Sequence, residues 1–247
     1  MNHLATTRFV ILAAPRSGSN MLCSMLDSHP DILCHHELFN PTGIFYALPL
    51  RDSDFQLARN MQERDQDPLR FLAKVWQQHA SKSCIGFKMT YQQNLAAFNS
   101  VLVAPEIKKI VLRRKNTVKS YVSKLIAEQS GIWEDYGDTR PNDDIQVELD
   151  LNHLQQDQAF NQRYYTHIEH RLQQTQQNCL HLEYEQLSDS ACQRQLLTYL
   201  ACRYLPLHTR SRKQNPSDLG QKVKNYRQIL EQCRDKEILV QLTDLHA

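Results

Sequence analysis

The turn Arg16-Ser17-Gly18-Ser19-Asn20 concentrates polar donors at one point of the chain. An apolar run from Phe9 to Ala14 precedes it and stops at Pro15, and Met21, Leu22, Met25 and Leu26 follow at helical spacing. A strand, a tight turn and a helix start in that order form an anion cradle. The N–H groups of the turn and of the first helical residues through Met21 point at one spot, and the helix dipole favours negative charge there. Gly18 lets the backbone approach the ligand closely. Arg16 adds a charged donor, and Ser17, Ser19 and Asn20 add neutral ones. A nucleotide-kinase loop would read GxxxxGK[ST]. Here no lysine follows Gly18, and the residue five before it is Ala13.

Two further basic clusters could hold a second anion. Arg113, Arg114 and Lys115 follow the apolar run Ile107–Leu112, where ligands gather in open α/β sheets. A helix is expected to start near Asn116 or Thr117, with Ser120 and Ser123 on nearby faces. Cations at a helix N-terminus oppose its dipole, so three of them there call for an anionic partner. The second cluster, Arg210, Arg212, Lys213 and Gln214, precedes a helical run through Leu219, Val223, Tyr226 and Leu230.

Groups able to take a proton gather at Cys34-His35-His36-Glu37, the end of a second short strand. Glu37, His36 and His35 are the candidate bases. Each also has a plain structural role open to it, as a cap or as a histidine paired within the sheet. The same four residues include the chain's densest group of metal-ligand types. Adjacent strand residues point to opposite faces, so they chelate poorly and no metal is expected.

The run Pro15-Arg16-Ser17-Gly18-Ser19-Asn20-Met21-Leu22 resembles the 5'-phosphosulfate loop of sulfotransferases, which use 3'-phosphoadenosine 5'-phosphosulfate (PAPS) and release 3'-phosphoadenosine 5'-phosphate (PAP). The Arg114-to-Ser123 segment resembles the family's 3'-phosphate motif, in which a serine lies eight residues after an arginine. Eight before Ser123 stands Lys115, so Arg114 and Lys115 both remain candidates. The Arg212-Lys213-Gln214 cluster with Val223-Lys224-Asn225-Tyr226 resembles the family's C-terminal segment over the 3'-phosphate. Glu37 matches the glutamate that bacterial members use as base. The resemblance implies metal-independent sulfuryl transfer on a P-loop NTPase-like sulfotransferase fold. The alternatives are a P-loop-type small-molecule kinase and a catalytically inactive nucleotide-binding relative.

The elements that must position these groups alternate. Strands are expected at Phe9–Ala14, Ile32–His36, Cys84–Met89, Ile107–Leu112 and Cys179–Tyr184. Helices are expected at Asn20–Ser28, Phe55–Arg64, Pro68–Ser81, Val118–Gln129, Leu151–Gln176 and Ala191–Tyr204. The pattern predicts an α/β fold, a central parallel β-sheet flanked by helices, in a single domain over residues 1–247. Phe160, Tyr164, Ile168 and Leu172 make a buried stripe. Between residues 132 and 152 an acidic stretch, including Glu134, Asp135, Asp144 and Asp150 beside Trp133 and Tyr136, reads as an irregular loop near the acceptor. Such a loop suits a cationic natural product or a sugar, accepting on a hydroxyl or an amine.

The chain has 247 residues and a net charge of +2, which suits a small-molecule partner and excludes general nucleic-acid or membrane-surface binding. Seven scattered cysteines with no Cys-x-x-Cys pair fit reduced thiols in a cytoplasmic biosynthetic enzyme. No run is long enough to span a bilayer. Assembly as a homodimer is left open.

Overall fold

A computed structural model describes residues 6–78, 82–91, 93–137, 144–212 and 218–243. The chain runs through β1 (Thr7–Ala13), α1 (Ser19–Asp27), β2 (Ile32–His35), α2 (Leu48–Arg51), α3 (Met61–Gln66), α4 (Pro68–Trp76), β3 (Cys84–Met89) and α5 (Leu95–Val103). It continues through β4 (Ile107–Arg113), α6 (Thr117–Ser130), α7 (Leu151–Gln174), β5 (Cys179–Glu183), α8 (Ser190–Tyr199), α9 (Tyr226–Gln232) and α10 (Lys236–Thr243). The strands form a parallel sheet in the order β2-β3-β1-β4-β5.

Alternation along β1 sorts the core. Val10 and Leu12 face a cluster with Phe87, Val111 and side chains of α4, α5 and α7. Phe9, Ile11 and Ala13 face a second cluster with α1 and α8. Both faces of β1 are therefore buried, which is why its sequence reads as a continuous apolar run. Phe9 lies in register with Gly86, where a Cβ would come within 2.5 Å of the Phe9 ring. A third cluster packs Val118 and Val122 of α6 against Val147, Val223 and α10.

β1 is central, and the chain moves away from it in both directions, so its carboxyl end is the topological switch point of the sheet. There the phenol of Tyr165 from α7 bridges β1 and β4: it accepts from Ala14 N at 2.9 Å and donates to Leu112 O at 2.8 Å. The expected stripe on α7 is buried at Tyr164, Ile168 and Leu172, and Phe160 meets Tyr91 edge-on.

Several helix boundaries differ from the expectation. The stretch Phe55–Arg64 is not one helix: Asn60 accepts from Glu63 N and starts α3 only at Met61. α5 was not expected, because its short apolar sequence has no helical stripe; Asn94 caps it. α8 ends at Tyr199, and Ala201 takes a left-handed φ of 59°. The run from Leu219 to Leu230 divides into a short 3-10 turn, a parallel bridge between Val147 and Val223, and α9. Among the described residues, no helix is long and apolar enough to cross a membrane.

Candidate functional site

The turn after β1 folds as a cradle for local reasons. Ser17 is buried and donates through Oγ to Ala14 O at 2.7 Å, which closes the turn from inside. Gly18 caps α1 at φ 89°, and a Cβ there would lie 2.1 Å from the Tyr184 ring. The first α1 hydrogen bond is Leu22 N to Gly18 O at 3.1 Å, so the N–H groups of Ser19, Asn20 and Met21 precede the helical ladder. No acidic residue lies in the first turn. Gly18, Ser19, Asn20 and Met21 line a cavity of about 740 Å³, whereas Ser17 faces away from it.

One flank of this turn is cationic. Arg16 donates from Nε to Ser123 Oγ at 2.9 Å and from Nη1 to Trp133 O at 2.6 Å. Arg114 donates to Arg16 O at 3.3 Å, and its guanidinium lies 4.8 Å from the centre of the Tyr184 ring. Burial, then the Arg114 charge, push Arg16 down to about 10, so it stays protonated at neutral pH. Lys119, Arg212 and Lys222 join this wall of the cavity; Lys222 is 2% exposed. The described lining residues of α6 and of the C-terminal segment include no carboxylate.

The expected cluster after β4 separates. Arg113 pairs with Glu169 and stacks over Tyr165. Lys115 does not line the cavity: its Nζ meets Glu183 at 2.8 Å, where the side chain is 63% exposed. Two of the three cations have thus found anions within the protein, and Arg114 alone faces the cavity. The α6 N-terminus is also occupied. The buried Gln241 accepts through Oε1 from Thr117 N, Thr117 Oγ1 and Val118 N at 2.8, 2.8 and 3.1 Å. The flank of α6, through Lys119 and Ser123, faces the cavity instead of its end. Lys213 and Gln214 lie outside the described residues.

The other flank joins acid and base. The Glu37 carboxylate lines the cavity just past β2 and meets Lys88 Nζ at 2.8 Å. It accepts from Asn40 Nδ2 and Gln93 Nε2 at 2.6 Å each. Burial pushes Glu37 up, but the Lys88 charge and these hydrogen bonds overcome it and hold the carboxyl below its ordinary value. Lys88 is the penultimate residue of β3 and is 3% exposed. Its ammonium also reaches Asn20 Oδ1 and, at 3.5 Å, Ser19 Oγ. Burial alone would lower Lys88; Glu37 leads the charges that raise it.

The two histidines do not line the cavity. His35 is enclosed, accepts at Nδ1 from Ala47 N at 3.1 Å and stacks on Phe55; burial pushes it down to about 3. His36 is equally buried and pushed down to about 4, and its Nδ1 donates to Glu134 at 3.2 Å. Both are neutral at pH 7, and a histidine base at the cavity surface is not what the fold provides. Glu134 also binds Arg51 at 2.7 Å. Burial raises its carboxyl, but hydrogen bonds from His36 and Arg51 outweigh that and hold it well below the carboxylate range.

Sequence reasoning offered Lys88 only as an extra charge in the crevice at the end of the third strand, and missed Asn40, Gln93, Lys119 and Lys222. A readable signal existed for Lys88: β3 is buried at every position, so its one cation must meet a partner inside. Among the described residues, no group of three or more metal-ligating side chains assembles.

No family model matches the chain. It is 31% identical over 148 residues to Nodulation protein H of Rhizobium tropici, covering 58% of this chain and 55% of that protein. It is 26% identical over 125 residues to Nodulation protein H of Rhizobium meliloti (strain 1021), covering 51% and 49%. The chain thus spans about half the length of the curated relatives it matches. A sulfotransferase structure from Alicyclobacillus acidocaldarius overlays with TM-score 0.48 at 15% identity, covering 98% of this chain and 96% of that one. Mouse sulfotransferase SULT7A1 complexed with PAP overlays with TM-score 0.41 at 12% identity, covering 95% and 75%.

Proposed function

We propose that this chain is a sulfotransferase that moves a sulfuryl group from PAPS to a hydroxyl of a small-molecule acceptor, with Glu37 as general base. The observation that carries the reading is the pair of unlike flanks on one helix start. Ser123, on the helix after β4, holds Arg16, and Lys88 of β3 pairs with Glu37 at 2.8 Å, so groups from the two strands flanking β1 converge on the α1 first turn. The resemblance of the turn Pro15–Leu22 to the phosphosulfate loop supports PAPS as the donor.

PAPS supplies an activated sulfuryl group joined to a phosphate leaving group. In this reading the N–H groups of Gly18 to Met21 cradle that phosphate, and Arg16 offsets the charge that builds on its oxygen. Arg114, Ser123 and Arg212 hold the 3'-phosphate, with Lys119 and Lys222 adding positive charge to that wall. Glu37 takes the acceptor's proton as the acceptor oxygen bonds to sulfur and the bond from sulfur to the phosphate oxygen breaks. Its lowered pKa keeps it ionised and able to accept at neutral pH. Lys88 keeps its charge beside Glu37 and faces the group in transit.

The acceptor side favours a neutral polyhydroxylated molecule such as a sugar over a cation. Glu134 is taken up by Arg51 and His36, and Asp150 caps α7. Asp135 is the remaining described carboxylate of the acidic stretch that lines the cavity. Trp133, Tyr91, Asn40 and Thr42 also line the cavity.

One observation favours phosphoryl transfer: Lys88 brings to the turn the ammonium that its sequence lacks. Calorimetric titration with PAP, against ATP with magnesium, separates the two. Micromolar PAP binding that survives a chelator, with weak ATP binding, is the expected result. Preference for Mg-ATP overturns the sulfotransferase reading in favour of a kinase, and no binding of either nucleotide overturns both.

A further inference from the structure

Arg64 of α3 is 2% exposed and lies outside the cavity lining, yet it gathers the segment that carries the acceptor wall. Its Nη1 donates to Leu38 O at 3.0 Å, Asn40 O at 2.9 Å and Gly43 O at 3.0 Å. Nε and Nη2 meet the two Asp65 oxygens at 2.9 and 2.7 Å. The guanidinium sits 5.9 Å from the centre of the Phe39 ring. Three carbonyls of one loop turn toward the buried guanidinium, and a donor there satisfies them where water access is restricted. A planar guanidinium serves three carbonyls and a carboxylate together, which an ammonium on a flexible stem does not.

Asn40 connects this buried hub to the site. Its carbonyl rests on Arg64. Its Nδ2 donates to Glu37 at 2.6 Å, and its Oδ1 accepts from Thr42 N at 2.8 Å and Thr42 Oγ1 at 2.7 Å. Asn40, Pro41, Thr42 and Phe45 line the cavity. We propose that Arg64 is a positioning residue: by clamping the 38–43 carbonyls it sets Asn40, and through Asn40 it aims the Glu37 carboxylate and shapes the acceptor wall. The inference rests on Glu37 being the base. Among the described residues, the hydrogen bonds of Arg64 go to Leu38, Asn40, Gly43 and Asp65, none of which belongs to the donor wall of first turn, α6 and C-terminal segment.

The test compares wild type with Arg64→Lys, and with Asp65→Asn, which loosens the guanidinium without removing it. Chains carrying carboxyl-labelled glutamate are titrated by NMR, with Glu37→Gln assigning the signal, and PAP affinity is measured alongside. The expected result is a Glu37 titration moved up toward the ordinary carboxylate range. Amide exchange over residues 38–45 should be about tenfold faster or more, with PAP affinity unchanged within about twofold. Arg64→Lys should move Glu37 more than Asp65→Asn. An unmoved Glu37 titration in both variants overturns the inference, as does a loss of PAP affinity equal to any loss at Glu37, which would mark a general structural role. Should Arg64→Lys not fold, Asp65→Asn alone decides by the same two readings. Wild-type protein that binds no PAP defeats the sulfotransferase reading, while the Glu37 titration still reports on Arg64.

Discussion

Arg16 and Ser123 share a 2.9 Å hydrogen bond across a sequence separation of 107 residues. It ties the turn after β1 to the second turn of α6, so the two anion sites read separately from the sequence share one wall. Removing the hydroxyl in Ser123→Ala should leave the fold intact and weaken PAP by about 10-fold, the scale of a hydrogen bond to a charged group. Calorimetry checks this; an unchanged affinity would detach Ser123 from the donor site.

The separation of Arg114 from Lys115 gives a paired prediction. Arg114→Ala should cost about 10–100-fold in PAP affinity, since it removes a cavity-facing charged donor. Lys115→Ala, which breaks an exposed pair with Glu183, should change affinity by less than about twofold. Comparable losses in both would contradict the geometry.

Glu37→Gln should lower transfer by about 10²–10⁴-fold while PAP still binds. The same change strips the buried Lys88 of its carboxylate partner, so the melting temperature should fall. The carboxyl is lowered in the folded state. Its contribution to stability is present above the unfolded pKa and lost as pH falls through the folded one. In Glu37→Gln that part of the acid sensitivity should vanish, which thermal melts across pH will report.

A separate pH effect comes from the histidines. His35 and His36 stay neutral in the folded protein down to about 3 and about 4, while in the unfolded chain they take up protons near 6.5. The unfolded state therefore binds more protons between these limits, and stability should fall as pH drops from about 6.5 toward about 4. His36→Gln should flatten the upper part of that decline. A melting temperature independent of pH over this range would contradict the burial of both rings.

Gln241 tests the link between α10 and the site. Gln241→Leu leaves two backbone N–H groups and the Thr117 hydroxyl short of their acceptor, at a cost of about 1–3 kcal/mol in stability. Denaturant melts should register the loss, and PAP affinity should fall with it as the α6 flank loosens.

The strands and the first turn were legible because β1 to β5 are short apolar runs with clear punctuation, and the Gly18 turn is local in sequence. The choice between Arg114 and Lys115 was not legible. Successive residues past a strand end point in opposite directions, and the resemblance falls between the two. Lys88 was visible as a cation in a buried strand, but its meeting with Glu37 and Asn20 depends on β3 lying between β2 and β1, an order that no local pattern states. Histidines beside Glu37 suggested bases, but both rings are buried: Tyr46 and Phe55 pack on His35 and Tyr136 on His36, long-range contacts that no local pattern states. Arg64 enters the sequence reading only as the end of an expected helix, because three of its partners are backbone carbonyls, which leave no trace in side-chain sequence.

The uneven walls of the cavity bear on turnover. Loss of the sulfuryl group leaves both phosphates of the donor in place, and with them every contact to Arg16, Arg114, Ser123 and Arg212 in the proposed arrangement. The spent nucleotide is then held about as firmly as the fresh one. Its departure, more than bond breaking at Glu37, would set the pace of the cycle and make it a competitive inhibitor against its own precursor.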